Sequence, residues 1–110
     1  MCIFCKIAAN EFGTQFLFEN ENVLAFRDLD PQAPTHILII PRKHFENVDE
    51  LTNSEPALVG ELFAVARSLA ISEGLPAHRT VFNTGAGAGQ SVFHAHLHLL
   101  GGRSFAWPPG

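Results

Sequence analysis

Phe93-His94-Ala95-His96-Leu97-His98-Leu99-Leu100 is the stretch from which the rest of the chain can be read. Side chains alternate between faces in an extended strand. His94, His96 and His98 then share one face, and Ala95, Leu97 and Leu99 the other. Neighbours along one face lie roughly 7 Å apart, close enough to act together on one small ligand. Crowded imidazoles also need polar partners, because burying an unpaired polar group is costly. The pattern predicts a strand with an apolar core face and a working face.

The segment before it, Thr84-Gly85-Ala86-Gly87-Ala88-Gly89-Gln90-Ser91, is rich in glycine. Without side-chain bulk, backbone N–H groups can approach an anion closely. It is no Walker loop, since no Gly-Lys-Ser/Thr follows and it feeds a strand rather than a helix. Alone it reads equally well as a flexible connection. Beside the histidines it becomes a phosphate cradle, with the Gln90 amide and Ser91 hydroxyl as further donors.

Working outward, Ile3 to Asn10 forms a short helix that stops before Gly13. Strands follow at Phe16–Glu19 and Val23–Asp28, with Asn20-Glu21-Asn22 as the turn between them. Pro31 and Pro34 then break the extended chain. Thr35-His36-Ile37-Leu38-Ile39-Ile40 is β-branched and apolar, as a buried central strand should be. A long helix covers Glu55 to Glu73, with Thr52-Asn53-Ser54-Glu55 as a capping box and Leu58, Leu62, Val65 and Leu69 as its apolar stripe. Gly74 and Pro76 stop it. Strands at Thr80–Asn83 and His94–Leu100 complete an α+β domain. Its sheet has about five strands, largely antiparallel, with one long helix and one short one.

The 110 residues make a single domain, 1–110. At 46% hydrophobic residues the composition is globular. A net charge of -4 with scattered basic residues argues against gripping a nucleic acid polymer. No apolar run reaches the ~18 residues of a membrane span, and the first residues lack a signal-peptide layout. The expectation is a cytoplasmic protein with no membrane partner, its cysteines reduced. Cys2-x-x-Cys5 has the spacing of half a zinc site or of a redox pair.

The same residues allow several chemistries. A neutral imidazole attacks phosphorus readily at pH 7, which makes the middle histidine, His96, a candidate nucleophile. Alternatively, His94, His96 and His98 hold a catalytic zinc, or Cys2, Cys5, His44 and one triad histidine form a closed Cys2His2 site. Spacing does not choose among these. Asp28 is well placed to accept from two ribose hydroxyls, or is an ordinary turn aspartate. Ile3, Phe4, Ile7 and Phe26 form either an apolar slot for a base or plain core. His78, after a helix stop, reads as a surface residue.

His94-Ala95-His96-Leu97-His98-Leu99-Leu100 resembles the signature of the histidine-triad nucleotide-binding superfamily. Phe26-Arg27-Asp28, Pro31-Gln32-Ala33-Pro34-Thr35-His36, Ile40-Pro41-Arg42-Lys43-His44, Gly89-Gln90-Ser91-Val92, Gly101-Gly102-Arg103 and Trp107-Pro108-Pro109-Gly110 are similar to its Hint branch, in the expected order. The resemblance implies a HIT-like fold whose sheets join across a homodimer. It also implies a purine nucleoside phosphoramidase that works through a nucleotidyl-histidine intermediate.

By that resemblance His96 attacks the α-phosphorus, and the His94 carbonyl holds its other nitrogen. His98, Gln90 and the backbone around Gly89 and Val92 bind phosphate oxygens, with Asn83 nearby. Ser91 assists the leaving amine, and His36 extends the proton network. Asp28 takes the ribose, and Ile3, Phe4, Ile7, Phe26 and Leu29 surround the purine. The ligands implied are purine nucleoside monophosphates and phosphoramidates. No metal is needed for catalysis. Cys2 and Cys5 resemble the bacterial members, where they join residues like His44 and His94 around a structural zinc. The competing readings are a dinucleoside polyphosphate hydrolase, a nucleotide-binding interaction protein with incidental hydrolysis, and the zinc hydrolase.

Overall fold

The computed structural model describes residues 2–110. The sheet is built around strand β3 (Thr35–Pro41), in which every residue after Thr35 is buried. A strand apolar on both faces needs cover on both faces. Strands β2 (Val23–Arg27) and β5 (Leu97–Gly101) flank β3, while β1 (Phe18–Glu19) and β4 (His78–Val81) form the edges. The order is β1-β2-β3-β5-β4, antiparallel throughout.

Helices α2 (Val48–Ser54) and α3 (Pro56–Ser72) cover one face, packing Leu51, Leu62, Val65 and Leu69 on Ile37, Ile39, Leu97 and Leu99. Helix α1 (Ile3–Ala8) covers the other, setting Phe4 and Ile7 on Leu24, Phe26, Leu38 and Ile40. A helix this short is unstable alone in water. Burial of Phe4 and Ile7, each worth ~1.5–3 kcal/mol, is one of the things holding it in place.

The α+β class, the antiparallel five-stranded sheet and the central position of Thr35–Ile40 follow the reading of the sequence. The long helix does not have the expected start. Thr52-Asn53-Ser54 is no capping box but the last turn of a separate helix, α2, capped by Asn47, whose Oδ1 accepts from Glu50 N at 2.9 Å. Pro56 explains the break: the residue before a proline avoids helical geometry, and Glu55 sits at φ -140°, ψ 72°. Proline is then well tolerated in the first turn of α3.

The triad strand is also shorter than expected. β5 begins at Leu97, so His94 and His96 lie in the segment leading into it. Continuing the β3–β5 register past Ile39↔Leu97 would set Ala95 opposite Pro41, which has no N–H to give. The Ala95 N–H instead goes to Phe45 O at 2.7 Å. Facing survives the change: Ala95, Leu97 and Leu99 join the α3-side core, while the histidines face α1. The remaining corrections are small. β4 spans His78–Val81 rather than Thr80–Asn83, with His78 exposed, and β1 keeps only two residues.

Candidate functional site

On the α1 face, Phe26, Leu38 and His98 stand in register across β2, β3 and β5. His36 is diagonal to His98 on that face, within reach in an antiparallel pair. β2 ends at Arg27, and Asp28 follows with its N–H on His36 O at 3.0 Å. One carboxylate oxygen of Asp28 accepts from Asp30 N at 2.8 Å; the other lies 3.4 Å from His36 Nε2. The ordinary turn aspartate and the cleft carboxylate are therefore the same residue.

Backbone partners fix the tautomers. Gln32 N donates to His36 Nδ1 at 3.0 Å, which leaves the proton of His36 on Nε2. That Nε2–H meets His98 Nδ1 at 2.9 Å, so His98 carries its own proton on Nε2, which has no partner among the described residues. His96 Nδ1 donates to the His94 carbonyl at 2.8 Å, leaving its Nε2 as a bare lone pair. His94 Nε2 donates to Pro41 O at 2.8 Å, leaving its Nδ1 bare. A bare nitrogen and an unpaired N–H thus sit on adjacent rings whose centroids are 4.9 Å apart.

Desolvation lowers the pKa of His36, His94 and His96. For His96 the His94 carbonyl, which favours the protonated ring, opposes it. His98 is pushed down to about 4, by burial first and then by His96 and His36. All four are therefore neutral at pH 7, the form in which His96 Nε2 is nucleophilic.

These groups open into a cleft of about 260 Å³. Ile3, Phe4, Ile7, Phe26 and Leu29 give it an apolar wall; Asp28, Ser91, His96 and His98 are among its polar residues, with Arg27 also in the lining. Phe4 stands edge-on to His96, with ring centroids 5.1 Å apart. Leu29 is fully exposed at the rim. Leu38 and Thr14 line the cleft too. Leu38 was legible only as part of a buried strand, its place opposite His98 being set by the β3–β5 register; Thr14, in an irregular segment, left no signal in the sequence.

Gln90 does not take the place expected of it. Its side chain is buried, accepting from Gly85 N at 2.8 Å and donating to Glu46 O at 2.7 Å and Val92 O at 3.0 Å. With both amide hydrogens committed, it has none for a phosphate oxygen and instead braces the glycine loop. Gly89 and Asn83 lie together off the cleft lining, Gly89 at φ +97° and with Asn83 Cγ 3.9 Å from where its Cβ would be. Val92 does line the cleft.

A second cluster lies behind His96. The ligand atoms of Cys2, Cys5, His44 and His94 are all within 4.8 Å of one another. His94 Nδ1 is 3.5 Å from Cys2 Sγ and 3.6 Å from Cys5 Sγ; His44 Nδ1 is 3.4 Å from Cys5 Sγ. Tetrahedral zinc with Zn–S of about 2.3 Å and Zn–N of about 2.05 Å would hold sulfur and nitrogen about 3.6 Å apart. The donor set and its spacing fit zinc. The triad histidines themselves divide: His94 turns its ring to the cysteines, while His96 and His98 face the cleft.

The cleft thus sets His96, oriented by the His94 carbonyl, beside His98, oriented by the His36 ring, and comparison with known proteins places the chain in a family. Residues 9–105 match the HIT domain. An uncharacterized HIT-like protein of Synechococcus elongatus is 50% identical over 109 residues, which cover 98% of this chain and 96% of the relative. A HIT family hydrolase from Legionella pneumophila Philadelphia 1 superposes with a TM-score of 0.95 at 49% identity, over 100% of each chain. A hypothetical histidine triad nucleotide-binding protein from Sulfolobus tokodaii superposes at 0.81 with 34% identity, over 97% of this chain and 72% of that one. The chain belongs to the HIT family.

Proposed function

We propose that this protein is a purine nucleoside phosphoramidase of the Hint type, cleaving the P–N bond of an adenosine or guanosine 5′-phosphoramidate. The observation that carries the reading is His96: its Nδ1–H is tied to the His94 carbonyl at 2.8 Å, so the nitrogen left for chemistry is unprotonated. Asp28 takes the ribose hydroxyls, and the Ile3, Phe4, Ile7 and Phe26 wall takes the purine. The hydrolase and nucleotide-binding names of the structural relatives lean the same way.

The chemistry balances in two steps. His96 Nε2 gives its lone pair to the α-phosphorus, and the P–N bond breaks. The leaving nitrogen takes a proton from solvent, relayed by the exposed Ser91 hydroxyl in the cleft lining, and departs as a neutral amine. Water then attacks phosphorus and gives a proton back to solvent, the P–Nε2 bond breaks, and the monophosphate departs from a restored neutral imidazole. The His98 Nε2–H donates to a phosphoryl oxygen as charge builds there, the positioned-donor role on which phosphoryl transfer chiefly depends. His36 holds His98 in the tautomer that makes this possible.

In the same reading Cys2, Cys5, His44 and His94 hold a structural zinc, which would pin α1 to the sheet and take no part in bond cleavage. A homodimer joined through the edge strand β4 belongs to it as well; Phe63 and Ile71 are exposed on nearby α3, and sedimentation reads the assembly directly.

The decisive experiment is hydrolysis of adenosine 5′-phosphoramidate by the native protein and by His96→Ala, both shown folded by circular dichroism. Turnover is expected for the first and loss of it for the second, with monophosphate binding retained because the missing interaction acts mainly in the transition state. Substantial activity in His96→Ala would remove the nucleophile. Inactivity of the native protein, with turnover of a dinucleoside polyphosphate instead, would replace the substrate class.

A further inference from the structure

Helix α1 carries two sets of side chains with different duties. Cys2, its N-cap, and Cys5 turn towards His94. Ile3, Phe4 and Ile7 line the nucleotide cleft. Six residues rising ~1.5 Å each make a segment of under two turns, too short to bend. A shift of the α1 backbone therefore carries both sets.

His94 makes the second connection. Its ring is fully buried, with Nε2 held by Pro41 O at 2.8 Å and Nδ1 facing the two thiols. Its carbonyl oxygen is the acceptor that orients His96 at 2.8 Å. Phe4 packs edge-on against both rings, at centroid distances of 5.9 Å to His94 and 5.1 Å to His96. When the cluster is bound to metal, both ring nitrogens of His94 are fixed and its carbonyl with them. When it is not, Nδ1 has only weak thiol contacts at 3.5 and 3.6 Å.

We infer that metal occupancy at Cys2, Cys5, His44 and His94 is energetically coupled to nucleotide affinity, with α1 and the His94 peptide as the connecting parts. The inference rests on the zinc and nucleotide readings above and adds a claim that neither contains: the two ligands favour one position of α1. His94 is then a positioning residue and the Cys2–Cys5 turn a strap that sets one wall of the cleft. Reciprocity follows from thermodynamics: whatever factor zinc adds to nucleotide affinity, nucleotide adds to zinc affinity.

The test uses the full chain, zinc and adenosine 5′-monophosphate, and needs no turnover. Zinc affinity is measured by competition with a chromophoric chelator, with and without saturating monophosphate. Monophosphate affinity is measured by calorimetry, with and without zinc. Both should tighten by the same factor, about fivefold or more, the low end of typical coupling between sites. Hydrogen exchange adds a structural reading. The Lys6 and Ala9 amides, which bond to Cys2 O and Cys5 O at 3.1 and 3.0 Å, should slow on addition of either ligand.

In Cys5→Ser the monophosphate affinities measured with and without zinc should coincide; a persisting zinc effect would place its origin elsewhere and overturn the inference. Tight zinc binding indifferent to monophosphate would overturn the coupling while leaving the metal site standing. Failure to bind zinc at all would remove the metal reading and the coupling together. Failure to bind monophosphate would do the same from the nucleotide side.

Discussion

His36 and His98 share a hydrogen bond, Nε2 to Nδ1 at 2.9 Å, that runs diagonally between strands β3 and β5. Its direction is set from behind, because Gln32 N occupies His36 Nδ1 at 3.0 Å. The chain of donors therefore points one way, from the Pro31–Pro34 turn through His36 into His98, and ends at an N–H without a partner among the described residues. Leaving such a group buried costs about 1–3 kcal/mol. A phosphate oxygen would supply what it lacks.

Removing the middle of this relay gives the first prediction. In His36→Ala, His98 Nδ1 loses its donor and both tautomers become accessible. On the proposed function, kcat for the phosphoramidate should fall about tenfold to a hundredfold, the equivalent of ~1.4–2.8 kcal/mol. KM should change less, since the apolar wall is untouched and the Asp28 carboxylate, though it loses the His36 ring at 3.4 Å, keeps its bond from Asp30 N. His36→Gln keeps a donor and should recover part of the loss. Steady-state kinetics on the three proteins decide it; equal kcat in native protein and His36→Ala would take His36 out of the relay.

Asp28 offers its carboxylate at the mouth of the cleft, with one oxygen already accepting from Asp30 N at 2.8 Å. Asp28→Ala should weaken monophosphate binding by about 1–3 kcal/mol through lost charge-assisted hydrogen bonds. A 2′,3′-dideoxy analogue separates ribose recognition from damage to the turn. The native protein should bind it more weakly than the monophosphate, and Asp28→Ala should hardly distinguish the two. Calorimetry that finds undiminished discrimination in the variant would remove the ribose role.

Gln90 ties three backbone groups together: Gly85 N, Glu46 O and Val92 O. Gln90→Ala leaves all three without that partner, so stability should drop by about 2–4 kcal/mol in denaturant titration. Gln90→Glu retains an acceptor for Gly85 but sets a buried carboxylate oxygen against the Glu46 and Val92 carbonyls, and should be at least as destabilising. If Gln90 were chiefly a phosphate donor, both variants would keep native stability and lose only affinity.

What the sequence made legible and what it hid divide along physical lines. Alternation in Ala95-His96-Leu97-His98-Leu99 reports facing, and facing survived even where the ladder did not form. The two-sided apolar run from Ile37 to Ile40 reports a central strand for the same reason. The separate helix α2 was hidden because Leu51 is its one buried residue, too little for a helical period to show. The direction of Gln90 was hidden because its partners are backbone atoms of Glu46, Gly85 and Val92, brought to it only by tertiary structure. Likewise the Pro41 carbonyl, which turns His94 Nδ1 towards the cysteines, has no identity in the sequence.

Burial of neutral histidines also sets the acid stability of the fold. His98 has its pKa lowered from 6.5 to about 4, by desolvation first, then by His96 and His36, against the favourable charge of Asp28. Between those values an unfolded chain takes up a proton that the folded chain refuses, so stability rises with pH across this window. The contribution is complete above pH 6.5 and is lost as pH falls towards about 4. At 1.36 kcal/mol per pKa unit the loss amounts to about 3 kcal/mol. His36, His94 and His96 shift in the same direction and steepen the slope. Denaturant titrations of the native protein and His98→Asn, run in chelator so that metal release does not contribute, measure the His98 share. The native protein should lose more stability than the variant between pH 6.5 and about 4. Parallel curves would mean that His98 titrates normally in the folded chain and is not held neutral by its surroundings.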